Sequence, residues 1–359
     1  AVIEMVRDDL LPAIDARFAG ATEYVSFVYG NFSRDRSTWT TYPAEPRYGA
    51  AYRGMRNRIG LLVEAYAYAP FRDRVIGTLE FCRAVLEETA GRAAEIRSTL
   101  RDADRRMATA PVGTPVPLRV EARPLPGTFT VLGYEEPEGR DGPLGEPTEL
   151  EVRVLNDFEP TLSVPRPHGY LIPAAHRDLA DHLVRHGIEV LRVREHVDLD
   201  AEVYPLQAVE RSERTWQGRT RVRLDAGPAL PRQHRAEPGD LVVWCDQPLG
   251  TLAAYLLEPE ATDGLGAWDF VGVEAGDRWP VLRLTEQPAL ITIPLDDPDA
   301  DPGAPRRRLD FETAYGRGGD RPDLEGSAAI PGGWHDADHF YQRRGGEWMI
   351  VHARTGRAR

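Results

Sequence analysis

The chain has 359 residues, of which 42% are hydrophobic and 28% charged, a balance typical of folded globular protein rather than of a disordered chain. Its 44 basic and 57 acidic residues give a formal net charge of −13, which argues against a general nucleic-acid-binding protein. No run approaches the ~18 apolar residues of a membrane span. We therefore expect neither nucleic acid nor a membrane as a partner.

Residues 1–108 predict an α/β arrangement. Apolar residues at positions 3, 6, 10, 14 and 18 share one face of a helix, which Pro12 is expected to kink. The aromatic and β-branched residues at positions 24–29 favour a strand that ends at Gly30. A second helix is indicated by apolar residues at helical spacing from Val75 to Leu86, and we expect it to pack on the sheet.

Glu64 is the most informative residue of this region. It follows the apolar run 59–63, which suits a strand buried on both faces of a parallel sheet. Pro70 then breaks the chain before the helix that starts near Phe71. Ligands of open α/β sheets bind at the carboxyl ends of the strands, so Glu64 is expected at a ligand site.

Residues 109–293 predict a mostly β accessory region with one embedded helix and strand. Strands are indicated at 118–123, 128–134, 149–155, 220–224 and 241–244. The embedded helix covers 176–186, ends at Gly187, and precedes a strand over 188–193.

The end of the chain predicts a boundary and a small β segment. Residues 294–310 are acidic and Pro-rich, then basic, which is typical of a linker. Residues 311–359 contain two short predicted strands separated by Gly345 and Gly346.

Motifs that would carry other chemistry are weak. Three His-x-x-acid patterns, at 186–189, 234–237 and 335–338, match a spacing used in zinc sites but carry little weight among nine histidines. The third, extended by His339, is the only one of them that could hold a metal by itself, and a solvated turn is the favoured interpretation. The sequence contains no Gly-x-Ser-x-Gly elbow and no phosphate-binding loop followed by Lys.

Residues 48–75 resemble the zinc carboxypeptidase family, the carboxypeptidase A-like metallopeptidases, and in particular its bacterial multidomain members. The matching stretches are 48–49, 54–58, 62–68 and 71–75. The resemblance implies that Glu64 is the general base that acts on a zinc-bound water. A structural alternative is that Glu64 caps the next turn or pairs with Arg72 or Arg74.

The same resemblance implies zinc ligands that this sequence lacks. In the family a His-x-x-Glu pair and a later His precede the catalytic glutamate. Here no histidine occurs among the 63 residues before Glu64, and the first is His168. We therefore expect zinc in the full-length protein, no metal ligand within this chain, and a chain that begins partway through the catalytic domain and is inactive alone.

Substrate-binding residues also follow from the resemblance, with a peptide or protein as substrate. Tyr42 or Tyr48 could be the mobile tyrosine that closes over the substrate. Four arginines, Arg47, Arg53, Arg56 and Arg58, could supply a guanidinium fork for a terminal carboxylate, and Arg56 is the predicted one. The sequence does not predict an oligomeric state.

The resemblance extends through the β-rich region, to cover about residues 20–272. The last ~45 residues more briefly resemble the start of a dipeptidyl-peptidase-IV-like β-propeller. Family members of this type are secreted or periplasmic, although no signal peptide opens this chain. The sequence therefore predicts a metallocarboxypeptidase fragment, and the alternative is a non-catalytic accessory or binding module attached to a peptidase.

Overall fold

A computed structural model describes residues 2–67, 69–135, 145–295, 339–344 and 347–352. The chain divides into two compact units, 1–300 and 301–359. The described part combines helices with mixed sheets, which is consistent with an α/β protein. None of the described helices has both the length and the apolar character needed to cross a membrane.

The first unit begins with a layer of helices. Helix α1 (Val2–Glu4) continues through a π-helical segment (Met5–Leu10) into α2 (Leu11–Ala21), so the predicted helix is confirmed. Pro12 lies in the first turn of α2, where a missing N–H is tolerated. The other helices of this part are the short α3 (Gly49–Met55) and the long α4 (Phe71–Gly91) and α5 (Ala93–Ala108).

Helix α4 buries its apolar side against α2 and beside segments 24–30 and 58–66, which form no described strand, so the prediction that it packs on a sheet is wrong. Ala84 joins Leu10, Ile14 and Phe18 in one buried cluster. The rings of Phe18 and Phe81 meet edge to face, with centroids 5.4 Å apart. Helical spacing identifies an apolar face but not the element that covers it.

The two strands predicted at 24–29 and 59–63 are not paired in the described part of the chain, which corrects the expected parallel sheet. Residues 24–30 and 58–66 belong to no helix or strand. Exposure nevertheless alternates along 24–30, as it does along an extended chain. An apolar run reports burial, whereas strand pairing also requires a partner distant in sequence.

Five strands form the first sheet of the described region. They are β1 (Asn31–Phe32), β2 (Thr38–Thr40), β3 (Pro115–Pro124), β4 (Phe129–Tyr134) and β5 (Pro147–Pro165). The long β5 is central, since β3 and β4 both pair with it antiparallel and β2 pairs with it parallel. Thr38 of β2 lies opposite Arg153.

Most later strands form a seven-stranded sheet. Its members are β6 (Gly169–Ile172), β7 (Leu191–Val193), β8 (Val197–Val203), β11 (Leu230–Ala236), β12 (Leu241–Trp244), β13 (Leu282–Leu284) and β14 (Thr292–Pro294), in the order β11-β8-β13-β6-β12-β7-β14. The pairs described in this sheet are antiparallel. A separate ribbon joins β9 (Leu206–Arg211) to β10 (Val222–Ala226).

Both faces of the seven-stranded sheet are buried, because side chains alternate along its strands. Tyr170 and Ile172 of β6 enter the main core, and Leu171 enters a smaller core on the other face. A 3₁₀ turn (Ala174–His176), α6 (Arg177–Arg185) and α7 (Gly250–Leu257) accompany the sheet, and both α-helices contribute to the main core.

Local predictions within residues 109–293 agree with these elements. The predicted strands have counterparts in β3, β4, β5, β7, β10 and β12, and the predicted helix in α6. Gly187 has φ of +77°, the left-handed conformation that a residue following a helix favours.

The second unit contains a described hairpin of β15 (His339–Arg344) and β16 (Glu347–His352), in which His339 lies opposite His352. Two strands are therefore present where the sequence predicts them. The glycines at 345 and 346, the linker from 296 to 310 and the possible metal cluster at 335–338 lie outside the described residues.

Gly250 provides a test of packing between β12 and α7. A Cβ at this position would lie 1.8 Å from the carbonyl oxygen of Cys245, too close for any side chain. We expect Gly250→Ala to destabilise the protein by about 1–3 kcal/mol because the backbone must shift. The change in free energy is measured by urea unfolding.

Gly54→Ala is the matched control, because a Cβ there meets nothing within 4 Å and Gly54 lies in α3. This variant is expected to gain stability by roughly 0.5–1 kcal/mol. Equal unfolding midpoints for the two variants would contradict the packing described.

Candidate functional site

A cavity of about 410 Å³ opens beside the segment that ends at Glu64. It is lined by Tyr29, Tyr42, Tyr48, Gly49, Ala50, Arg53, Gly60, Leu61, Leu62 and Glu64. Three of the four predicted site residues, Tyr42, Tyr48 and Glu64, thus border one space. Its volume falls in the range of small-ligand sites.

Glu64 lies exposed at the edge of this cavity. Within the described residues its carboxylate forms no hydrogen bond or ion pair. The two arginines proposed as structural partners are placed elsewhere: Arg72 pairs with Asp73 at 3.7 Å, and the Arg74 guanidinium lies over the Phe71 ring. Glu64 is therefore unpaired among the described residues and open to the cavity.

Three tyrosines form a row along the cavity. Ring centroids are 5.7 Å apart between Tyr29 and Tyr42, and 5.5 Å apart between Tyr42 and Tyr48. Burial raises the pKa of Tyr42, so its hydroxyl keeps its proton at neutral pH. The row offers the cavity aromatic surface together with phenol groups that can donate hydrogen bonds.

Arg47 fixes the loop that carries Tyr42 and Tyr48. Its guanidinium lies 3.1 Å from Asp263 and 3.0 Å from Glu45, and its backbone N–H donates to Asp263 at 2.8 Å. The Arg47 side chain is only 7% exposed. It is therefore held within the protein and is not available to a substrate carboxylate.

Aromatic rings enclose the same guanidinium. The Arg47 Cζ lies 5.7 Å from the centroid of Tyr48 and 5.8 Å from the centroids of both Trp216 and Trp268. Cation–π attraction at these distances adds to the ion pair. Arg47 thus joins the loop that carries Tyr42 and Tyr48 to residues far along the chain, namely Trp216, Asp263 and Trp268.

Arg56 is the predicted site residue that the structure does not bring to the cavity. Its guanidinium donates to the hydroxyl of Tyr52 at 3.2 Å and to the carbonyl oxygen of His186. The Tyr52 hydroxyl oxygen accepts from Arg56 and shares a second hydrogen bond, 2.7 Å long, with Nδ1 of His186. Arg56 therefore joins α3 to the end of α6.

Arg53 is the arginine that does line the cavity, although the sequence favoured Arg56. Gly60 permits this placement, since a Cβ there would lie 3.0 Å from both the Arg53 Cδ and the Ala50 Cα. The signal in the sequence is the glycine inside an apolar run, which marks close approach of another backbone. Arg58 instead pairs with Asp104 at 2.9 Å.

The residues described do not fit a zinc site. Nowhere in the described ranges do three His, Cys, Asp or Glu side chains come together. Glu64 is the one such residue bordering its cavity. His186 is engaged with Tyr52, and His234 lies 3.9 Å from Asp240, so neither His-x-x-acid pattern that can be inspected forms a metal centre.

A second cavity of about 340 Å³ shares Tyr42 with the first. Its walls are mainly apolar and include Pro43, Met55, Val120 and Phe158. Tyr42 thus borders both cavities, and the second also includes Glu45 in its lining.

Comparison with known proteins gives a distant relationship. The chain is 23% identical over 214 residues to carboxypeptidase 2 of Trichophyton rubrum, and 22% and 21% identical to the proteins of that name from Trichophyton equinum and Trichophyton tonsurans. These matches cover 60% of this chain, which spans 38% of the length of each relative. The relationship is carboxypeptidase-like.

Comparisons with family models and with solved structures do not assign the chain to a family or a fold. No family model matches the chain, and no solved structure gives a significant match. The relatives are fungal, and the comparisons give no support to a bacterial affiliation or to the predicted propeller resemblance.

Arg47→Met tests whether Arg47 holds the loop that carries Tyr42 and Tyr48. Removing the guanidinium leaves the Asp263 carboxylate, whose side chain is 1% exposed, without its cation. We expect a loss of about 3–5 kcal/mol in the free energy of unfolding. Arg123→Met is the control, because Arg123 pairs with Glu159 at the surface and is expected to cost at most about 1 kcal/mol. Equal losses of unfolding free energy in the two variants would contradict this role of Arg47.

His186 gives a pH test of the contact between α3 and α6. Burial, and then the nearby Arg56, lower the pKa of His186. Folding therefore favours the neutral imidazole ring of His186. The stability gained in this way is complete at pH values above the ordinary histidine pKa of about 6.5. It is lost as the pH falls from there toward the lower pKa of the folded state.

We expect the free energy of unfolding to decrease between about pH 7.5 and about pH 5.5, and His186→Gln to flatten part of that decrease. Burial lowers the pKa of His182 and His234 as well, so a slope remains in the variant. Urea unfolding at several pH values measures both slopes. Identical slopes in the two proteins would contradict the proposed role of His186.

Proposed function

We propose that this chain is part of a carboxypeptidase that hydrolyses peptides from their carboxyl terminus, with Glu64 as the general base. The observation that carries the proposal is the position of Glu64, whose unpaired carboxylate borders a cavity together with Tyr42 and Tyr48, two of the other three predicted residues. The distant similarity to three carboxypeptidases supports the same reaction class.

The reaction requires a group that accepts and then returns a proton. As water adds to the peptide carbonyl carbon, the Glu64 carboxylate takes one of its protons. When the C–N bond breaks, the proton passes to the leaving amine, and the products are a shortened peptide carboxylate and a free amino acid. A carboxylate serves both steps because it is a base when ionised and an acid once protonated.

The remaining cavity residues suit the binding of a peptide terminus. Arg53 offers a guanidinium that can hold the terminal carboxylate with two parallel hydrogen bonds. Tyr42 and Tyr48 are proposed to close over the substrate and donate hydrogen bonds to it. Arg56 acts through Tyr52 and supports the helix that positions Arg53.

Zinc is part of the proposal only for the complete protein. The donor sets described do not fit the ion, so its ligands would have to come from residues outside the described part. The described part of the chain is therefore expected to bind no stoichiometric zinc by itself.

Glu64→Gln tests the proposal in the complete polypeptide that the gene encodes. Glutamine keeps the shape of the side chain but cannot take a proton, so kcat is expected to fall by about 100-fold or more with KM little changed. Hydrolysis of an N-acylated dipeptide measures the rate, and elemental analysis measures zinc. Glu95→Gln, at an exposed position on α5, is the control and should leave kcat unchanged.

Two outcomes would favour the alternative, a non-catalytic accessory or binding module attached to a peptidase. One is a complete polypeptide that holds no zinc and hydrolyses no peptide. The other is full activity of the Glu64→Gln variant, which would remove Glu64 from the chemistry.

A further inference from the structure

The second cavity, of about 340 Å³, lies among elements that are far apart along the chain. The loop 41–46 forms one of its walls, and β3, β5 and α7 contribute Val120, Phe158 and Tyr255 to the others. Because strands and a helix build most of the lining, the cavity has its shape before a ligand arrives. Small-molecule sites in proteins are largely preformed in the same way.

The size of the second cavity suits a fused aromatic ring system. An apolar protein cavity of about 150 Å³ holds one benzene molecule. The second cavity, at about 340 Å³, has more than twice that volume. Side chains that would contact a flat apolar ring dominate its walls: Pro43, Met55, Pro117, Leu118, Val120 and Phe158. Two fused rings would therefore fill space that a single ring leaves empty.

Three hydroxyl groups add hydrogen-bonding capacity to these apolar walls. Thr40, Thr41 and Tyr42 all border the cavity, and their side-chain hydroxyls form no hydrogen bond with the described part of the chain. Each hydroxyl can donate or accept a hydrogen bond. A small number of polar groups in a mainly apolar lining is the usual composition of a small-ligand site.

Glu45 provides the charged acceptor of this lining. Its Oε1 lies 3.0 Å from the guanidinium of Arg47. Its Oε2 is buried, and no residue within the described ranges forms a hydrogen bond with it. A buried acceptor without a donor is unfavourable, and hydrogen bonds to a carboxylate are stronger than those to a neutral oxygen. A ligand with an N–H or O–H group would therefore find its best partner in Glu45.

The loop that carries Glu45 is held in place by its main chain. The carbonyl oxygen of Glu45 accepts from the N–H of Tyr48 at 3.0 Å, and the N–H of Thr41 donates to the carbonyl oxygen of Leu155 at 3.1 Å. The N–H of Arg47 donates to Asp263 at 2.8 Å. Because these bonds exist without a ligand, little ordering of the loop would oppose binding.

We propose that the second cavity binds a planar aromatic group of the size of indole, which donates a hydrogen bond to Glu45. The two fused rings account for the volume and the apolar walls, and the N–H accounts for the unpaired carboxylate oxygen. A neutral donor fits better than a cation, because Arg47 already pairs with this carboxylate. The inference does not depend on a catalytic role for Glu64.

Indole and 1-methylindole test the proposal with the 359-residue chain, since they share their rings but only indole has a donor. Isothermal titration calorimetry measures both affinities. We expect indole to bind about 5–10-fold more tightly, the effect of one hydrogen bond to a charged acceptor. In Glu45→Met the acceptor is gone, and the two compounds should bind equally.

Glu121→Met is the matched control for Glu45→Met. Glu121 lies on β3 among residues that border the cavity, but it is not part of the lining and its side chain is 62% exposed. The preference for indole should therefore be unchanged in this variant.

Val120→Trp provides a second arm, because the larger side chain would occupy the cavity. Val120 is 36% exposed, which leaves room for the new ring at the surface, and near-UV circular dichroism verifies the fold. Indole binding should be lost. Leu132→Trp on β4 is the control, since Leu132 is 59% exposed and lies outside the lining, and it should bind indole as the unchanged chain does.

Two sources carry this chemistry, a free aromatic compound and the tryptophan side chain of a peptide. N-acetyl-tryptophanamide distinguishes them in the same titration. Tighter binding than that of indole would assign the cavity to a peptide, and weaker binding would assign it to a free compound.

Several results would overturn the proposal. The absence of saturable indole binding would show that the cavity is not a site for such a group. Equal affinities of indole and 1-methylindole for the unchanged chain, or an undiminished preference in Glu45→Met, would remove the hydrogen bond to Glu45. Full indole binding by Val120→Trp would place the ligand elsewhere on the protein.

Discussion

The ion pair between Arg47 and Asp263 is the contact on which the arrangement of the candidate site depends. It joins residues more than 200 positions apart and is nearly closed to solvent. Burial raises the pKa of Asp263 even beside this guanidinium, so the ionised pair is held against a cost in solvation. The enclosing rings of Tyr48, Trp216 and Trp268 fix the geometry of Arg47. With the loop held in this way, Tyr42 and Tyr48 can line the same cavity as Glu64.

A second set of contacts distinguishes the arginines that hold the structure in place from the one that borders the cavity. Arg56 and Tyr52 tie α3 to His186, and Arg58 ties the following turn to Asp104. Both leave Arg53 facing the cavity, with Gly60 allowing α3 to lie close to the segment that leads to Glu64. The cavity is thus built on α3, whose C-terminal end is held by His186 at the end of α6 and by Asp104 of α5.

The two halves of the first unit differ in how far their apolar side chains are buried. The seven-stranded sheet is covered on both faces, with Tyr170 and Leu171 entering opposite cores. Residues 24–30 and 58–66, by contrast, carry strand-like patterns without strand partners among the described residues.

The sequence by itself determined the elements whose signals are local. The helix over residues 2–21, α4, α6 with Gly187, and most of the strands after residue 115 follow from periodicity and turn residues, which neighbouring residues alone establish. The prominence of Glu64 came from its place after an apolar run and from a family resemblance. Only the tertiary structure decided that α4 packs on α2, that Arg53 rather than Arg56 borders the cavity, and that the runs 24–29 and 59–63 are unpaired. The reason is that such contacts join residues distant along the chain, and an apolar or basic side chain carries no record of which partner it will meet.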